Sequence, residues 1–243
     1  MKIQFVRILL VLLVTNCFLG KAYSVEKTSP IVNFYPNFFL YPEAFVHLGI
    51  DNFRNDIREA FLDLEDKYNV IDVGSGTLPA AHYFATIRQL QPSNIAYSDT
   101  QKNLLWGLRN YAQGNSQFKG TRFQFKKVDW QDRETVEEKF PNKADVVIMS
   151  HPNLTGATIT RIRNGINKII EDQTNWDLVF ENAVSRMRSK GSLLVFLQNS
   201  DEIIKLKQLV NESELEIRFE KQLKKVGLFY YMAVLKNAED FEE

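Results

Sequence analysis

Near the end of the chain, Leu215 to Leu223 and Leu228 to Leu235 both read as β-strands, and only Lys224 to Gly227 separates them. A crossover between parallel strands needs a dozen or more residues, so these two are antiparallel neighbours or unpaired. Upstream, strand and helix signals alternate. Strands are expected at Asn69–Val73, Ile95–Tyr97, Arg122–Val128, Ala144–Met149 and Ser192–Leu197. Helices are expected at about Pro79–Leu90, Lys102–Tyr111, just after Asp132, as one or two within 156–189 with Arg161, Arg163 and Lys168 on one of them, and at Asp201–Val210. Repeated strand–helix units predict a parallel sheet with helices on both faces. The unbroken apolar runs ADVVIM and SLLVFL suit strands covered on both sides. The expected fold is therefore α/β and doubly wound: a mostly parallel seven-stranded sheet closed by a C-terminal antiparallel hairpin.

The 243 residues fit one such domain with a small N-terminal addition. Lysine plus arginine equals aspartate plus glutamate at 30 each, which gives no support to long-range attraction of nucleic acid or an anionic membrane. The start has its own character: Lys2 and Arg7, an apolar run from Ile8 to Leu19, then Ala22-Tyr23-Ser24. This is the layout of a signal peptide over 1–24, cleaved after Ser24. A membrane anchor is the alternative, but the run is short of the roughly 20 residues a spanning helix needs. Cleavage implies a secreted or periplasmic protein without a stable membrane anchor. Cys17, the sole cysteine, would leave with the signal, and no metal site is expected. Residues 25–67 are expected to hold an aromatic segment broken by Pro30, Pro36 and Pro42, then helix over 43–67. Residues 68–237 hold the α/β units.

The densest site signal is Val70-Ile71-Asp72-Val73-Gly74-Ser75-Gly76-Thr77. An apolar strand runs into two glycines one residue apart, and a helix follows. Bare backbone there turns sharply and admits a ligand against the main chain. The helix start offers unpaired N–H groups to ligand oxygens. Asp99 ends the second strand at the distance past the glycines where dinucleotide folds place an acid for ribose hydroxyls. The same residue equally suits a cap for the next helix. After the third strand, Asp129-Trp130 pairs a carboxylate with a ring able to stack on a base or to join the core. The fourth strand ends in Ser150-His151-Pro152-Asn153. His151 is a candidate general base, since imidazole titrates near neutrality, or a structural residue.

Together, these motifs and the element order over Glu43–Lys236 resemble the class I S-adenosylmethionine-dependent methyltransferases. The resemblance implies S-adenosyl-L-methionine as cofactor. It implies that Asp72, Gly74, Ser75 and Gly76 line the pocket, Asp99 holds the ribose, and Asp129 and Trp130 face the adenine. Ser150 lies where amino-methylating relatives hold the target amine, and Ser150 and Pro152 match that motif while His151 and Asn153 depart from it. Leu78 stands where the family has a third glycine, which narrows the methionine end of the pocket. The implied function is methyl transfer to an acceptor the sequence does not identify. Two other readings stay open. A non-catalytic binding module fits Leu78 and the export signal, because the cofactor is made inside cells. A nicotinamide-dependent oxidoreductase shares the glycine turn and ribose acid, but the missing third glycine and the terminal hairpin count against it.

Overall fold

Apolar runs without polar alternation need cover on both faces, and the chain supplies it with helices between the strands. The computed structural model describes residues 53–238 apart from 76–79, 115–117, 151, 157–158, 164–165, 171–172, 198–199 and 226–227. In chain order the elements begin with α1 (Arg54–Ala60), β1 (Asn69–Val73), α2 (Ala80–Arg88), β2 (Asn94–Asp99) and α3 (Lys102–Gly114). There follow β3 (Arg122–Lys127), α4 (Arg133–Lys139), β4 (Ala144–Ser150), β5 (Ile159–Arg163) and β6 (Ile166–Ile170). The last are α5 (Trp176–Ser185), β7 (Met187–Leu197), α6 (Ser200–Asn211), β8 (Leu215–Lys225) and β9 (Leu228–Asn237). Seven strands form one sheet in the order β3-β2-β1-β4-β7-β9-β8. The pairs from β3 across to β7 are parallel, while β9 runs antiparallel to both β7 and β8. The expected architecture and its closing hairpin are both present.

Side chains alternate cleanly between two cores. On one face, Val70 of β1, Val146 and Ile148 of β4 and Leu194 of β7 pack with Ile57 of α1, Ala81 and Phe84 of α2, and Leu108 of α3. On the other, Ile71, Val147, Met149 and Val195 pack with Val136 of α4, Phe180 of α5 and Leu206 of α6. A parallel sheet between two helical layers has no wet face, which is why its strands are apolar throughout.

Two expectations need correction. The stretch 156–189 does hold a helix, α5, but where a helix was expected to carry Arg161, Arg163 and Lys168, β5 and β6 pair antiparallel as a separate two-stranded sheet. The sequence there, ITRIR and INKII flanking Asn164-Gly165, is rich in β-branched residues around the dipeptide most favoured in two-residue hairpin turns. Arg161, Arg163 and Lys168 thus belong to strands and not to a helix. The helix expected over 43–67 stops at Ala60, and the chain turns through Phe61 to Tyr68, with Lys67 at φ 67°, to enter β1. Residues 1–52, with the signal-like start and the aromatic segment, lie outside the described residues.

His82, on α2, is 3% exposed and sits edge-on to Phe118 with its Nδ1 3.4 Å from the Tyr97 hydroxyl. Burial disfavours the imidazolium and pulls its pKa from 6.5 down to about 4. The unfolded chain therefore binds a proton there that the folded chain refuses, so stability falls as pH drops from about 6.5 to about 4. Urea titrations across that range should show the slope, and His82→Phe should flatten it. Truncating the fully buried Ile148 to Ala should cost roughly 2–5 kcal/mol in the same measurement.

Candidate functional site

In an open parallel sheet the ligand crevice lies beyond the carboxyl ends of the strands, where the strand order reverses. Here the order reverses between β1 and β4. Val73 pairs with Met149, so Gly74 and Ser150 follow at the same level on either side of that point. Gly74 has φ +60°, and a Cβ placed there would meet nothing within 4 Å. The backbone at the exit of β1 is thus left-handed, which favours glycine, and it faces open space.

Asp72, one pleat earlier, is 0% exposed. Its Oδ2 accepts from the Ala81 N–H at 2.9 Å, in the first turn of α2, while Oδ1 has no hydrogen-bond partner. Burial is the main force on this carboxyl. The Ala81 N–H opposes it, nearby Asp99 adds like-charge repulsion, the Ala80 N–H opposes it more weakly, and the pKa rises to about 8. Ser150, at the tip of β4, likewise keeps a buried Oγ without a partner. Two unmet polar atoms therefore lie at the tips of adjacent strands.

The neighbouring tips are tied together by a residue that sequence reasoning passed over. Ser98, fully buried in β2, donates from Oγ to the Asp72 carbonyl at 2.7 Å and accepts from Trp130 Nε1 at 2.8 Å. Its own carbonyl accepts from the Ser75 N–H at 2.8 Å and from Ser75 Oγ at 3.1 Å. Asn182 of α5 donates to the Trp130 carbonyl at 2.8 Å. The only sequence signal for this hub is one small polar residue inside an otherwise apolar strand end.

Asp99 is 8% exposed, and its Oδ1 accepts from the Gln101 N–H at 2.7 Å. The Val128 N–H donates to the Asp99 carbonyl at 3.1 Å, which brings the turn holding Asp129 beside the tip of β2. Asp129 is exposed, and its Oδ1 accepts from Gln131 at 3.0 Å through the backbone and 3.3 Å through the side chain. Of the two roles open to Trp130, the ring takes the core one. It is 4% exposed and stacks on Phe140 at 5.2 Å, leaving almost no surface for a base. Asp72, Gly74, Ser75, Asp99 and Ser150 thus converge on the tips of β1, β2 and β4, Asp129 stands at the rim, and Trp130 lies beneath. Gly76, Leu78 and His151 lie outside the described residues.

Solved structures share this architecture. The N-methyltransferase NodS from Bradyrhizobium japonicum WM9 matches with a TM-score of 0.54 at 11% identity, over 77% of this chain and 95% of that one. TrmN from Thermus thermophilus matches with a TM-score of 0.51 at 15% identity over 76% of this chain, which spans 48% of that protein's length. The B. subtilis M1A22 tRNA methyltransferase TrmK gives 0.50 at 12% identity, over 76% of this chain and 64% of the other. The chain has a methyltransferase-like fold. No family model matches the sequence, and no curated protein matches it.

Asp72 makes a prediction with the opposite sign to His82. Its folded pKa is raised, so its contribution to stability is complete in acid and is lost as pH climbs from about 3.8 through about 8. Melting temperatures recorded over that range should fall less steeply for Asp72→Asn than for the unaltered protein. Trp130→Phe removes one donor to the buried Ser98 and should cost roughly 1–3 kcal/mol in denaturant, with the secondary structure unchanged by circular dichroism.

Proposed function

We propose that the tips of β1, β2 and β4 bind S-adenosyl-L-methionine and that the protein transfers its methyl group to an acceptor. The observation that carries this reading is the pairing of bare backbone at Gly74 with the unpartnered, fully buried Oδ1 of Asp72. A buried carboxylate oxygen without a donor calls for a cationic or N–H-bearing ligand. S-adenosylmethionine meets that demand, being a nucleoside with both an ammonium and a sulfonium. When bound it supplies an electrophilic methyl carbon, open to direct displacement by the acceptor.

The residues divide the work. Gly74 keeps the floor open, and Asp72 draws the ligand's positive charge towards the start of α2. Asp99 accepts from ribose hydroxyls, and Asp129 lies near the base. Ser75 and Trp130 act through Ser98, holding the β1 and β2 tips at a fixed separation so that alignment is set before binding. Ser150 offers its Oγ on the acceptor side, and His151 is the proposed base. The fold neighbours include one named as an N-methyltransferase and one named as a tRNA methyltransferase, so a shared fold does not choose an acceptor. The balanced composition gives nucleic acid no long-range pull. The proposal includes export, on the strength of the signal-like residues 1–24.

Titration calorimetry with S-adenosylmethionine is the direct test. Binding should weaken by roughly tenfold or more in Gly74→Val, where a branched side chain meets both a left-handed backbone and the ligand's space. Affinity should rise as pH increases through about 8, because a cation requires Asp72 ionised. No heat at millimolar cofactor would leave a methyltransferase-like fold used as a binding module. The export signal and Leu78 favour that second reading.

A further inference from the structure

The opposite end of the sheet has a cavity that the methyl-transfer reading does not use. Its origin is geometric. α4 is only seven residues long, about 10 Å of helix, against about 20 Å for the six-residue strand β3. Cover over the second face therefore gives out near the amino ends of β1, β2 and β3. What remains is a hollow of about 420 Å³, within the range of small-molecule sites.

The parallel register decides what lines it. Asn69 pairs with Asn94 and Asn94 with Arg122, forming one row across the three strands. Ile71, Ala96 and Gln124 form the next, and Ser98 and Lys126 pair in the one after that. Ile71, Ala96 and Phe140 give an apolar floor. Arg122 and Lys126 line it from β3, at one side of the strand order, Lys143 from just before β4 and Arg188 from β7. Among the described residues, no carboxylate lines the hollow. Asp145, next to the lining residue Ala144, pairs with Arg188 at 2.6 Å and accepts from the Asn69 N–H at 2.7 Å. Arg122 and Lys143 make no ion pair among the described residues and are exposed. Lys126 is held against the Phe140 ring, its ammonium 4.6 Å from the centroid, and it donates to the Lys139 carbonyl. Burial first, then the charges of Arg122 and Lys139, depress its pKa, so like charges lie close together on this side of the hollow. Gln124 donates to Asn94 Oδ1 at 2.8 Å, which leaves the Asn94 amide N–H groups for another acceptor.

We propose that this hollow is a second ligand site, distinct from the strand tips at the other end, for a small organic phosphate. Arginine and lysine side chains lining one hollow suit a phosphate group, which guanidinium binds through paired hydrogen bonds. The Ile71, Ala96 and Phe140 floor suits an apolar or ring-bearing body. The inference stands on residues separate from those of the proposed methyl transfer.

The probes are adenosine 5′-monophosphate, inorganic phosphate and a short oligoribonucleotide, each titrated into the full chain at low salt. The monophosphate should bind, and inorganic phosphate should bind roughly tenfold or more weakly because it leaves the floor uncovered. Arg122→Glu and, separately, Lys143→Glu should each weaken the monophosphate by roughly tenfold or more with circular dichroism unchanged. Gly74→Val should leave it bound, which separates this site from the cofactor crevice. No heat with the monophosphate at millimolar concentration would overturn the proposal. So would loss of binding in Gly74→Val alone, equal affinity for inorganic phosphate, or tighter capture of the oligoribonucleotide than of the monophosphate.

Discussion

A sheet covered by helices on both faces leaves polar groups only one place to work, the ends of its strands. Val70 to Val73 of β1 and Val146 to Met149 of β4 are buried on either side of the point where the strand order reverses. Any side chain there that is not apolar is costly unless paired. Asp72 sits in that dry zone, one residue from the end of β1. The same burial that makes its carboxyl expensive to ionise makes it responsive to a positive ligand. The α2 N-terminus meets part of its need, chiefly through the Ala81 N–H.

At the tips, buried hydrogen bonds converge on Ser98. Each of its hydrogen bonds is worth on the order of 1 kcal/mol, yet together they join β1, β2 and the turn after β3 through buried atoms. Buried polar networks of this sort set distances more than they add stability. They explain why Ser75 and Trp130 stand in the ligand motifs although neither presents much surface. The amino ends of the strands show the converse case. There a helix that is too short leaves Arg122, Gln124 and Lys126 facing a hollow in place of a second apolar layer.

Where sequence reading failed, the causes are specific. Isoleucines recurring through 159–170 suit a helix face by spacing alone, and Asn164-Gly165 was the local sign of a hairpin instead. The helix expected over 43–67 ended at Ala60 because β1 starts at Asn69 and the chain needs the intervening residues to reverse. Trp130 is compatible by residue type with a base or with a core. Phe140, ten positions away, decided for the core, and no local pattern encodes that contact.

The alternation of apolar runs and helical periods determined by itself that the chain forms a doubly wound sheet, and the four-residue gap before Leu228 determined its antiparallel close. Those are local properties: periodicity, turn chemistry and the reach of a connection. Only tertiary structure decided which oxygen of Asp72 goes unpaired, that Ser98 joins three strand tips, and that cations gather where α4 falls short. Each of these depends on side chains distant in sequence meeting across the register of parallel strands, and that register is a property of the packed sheet.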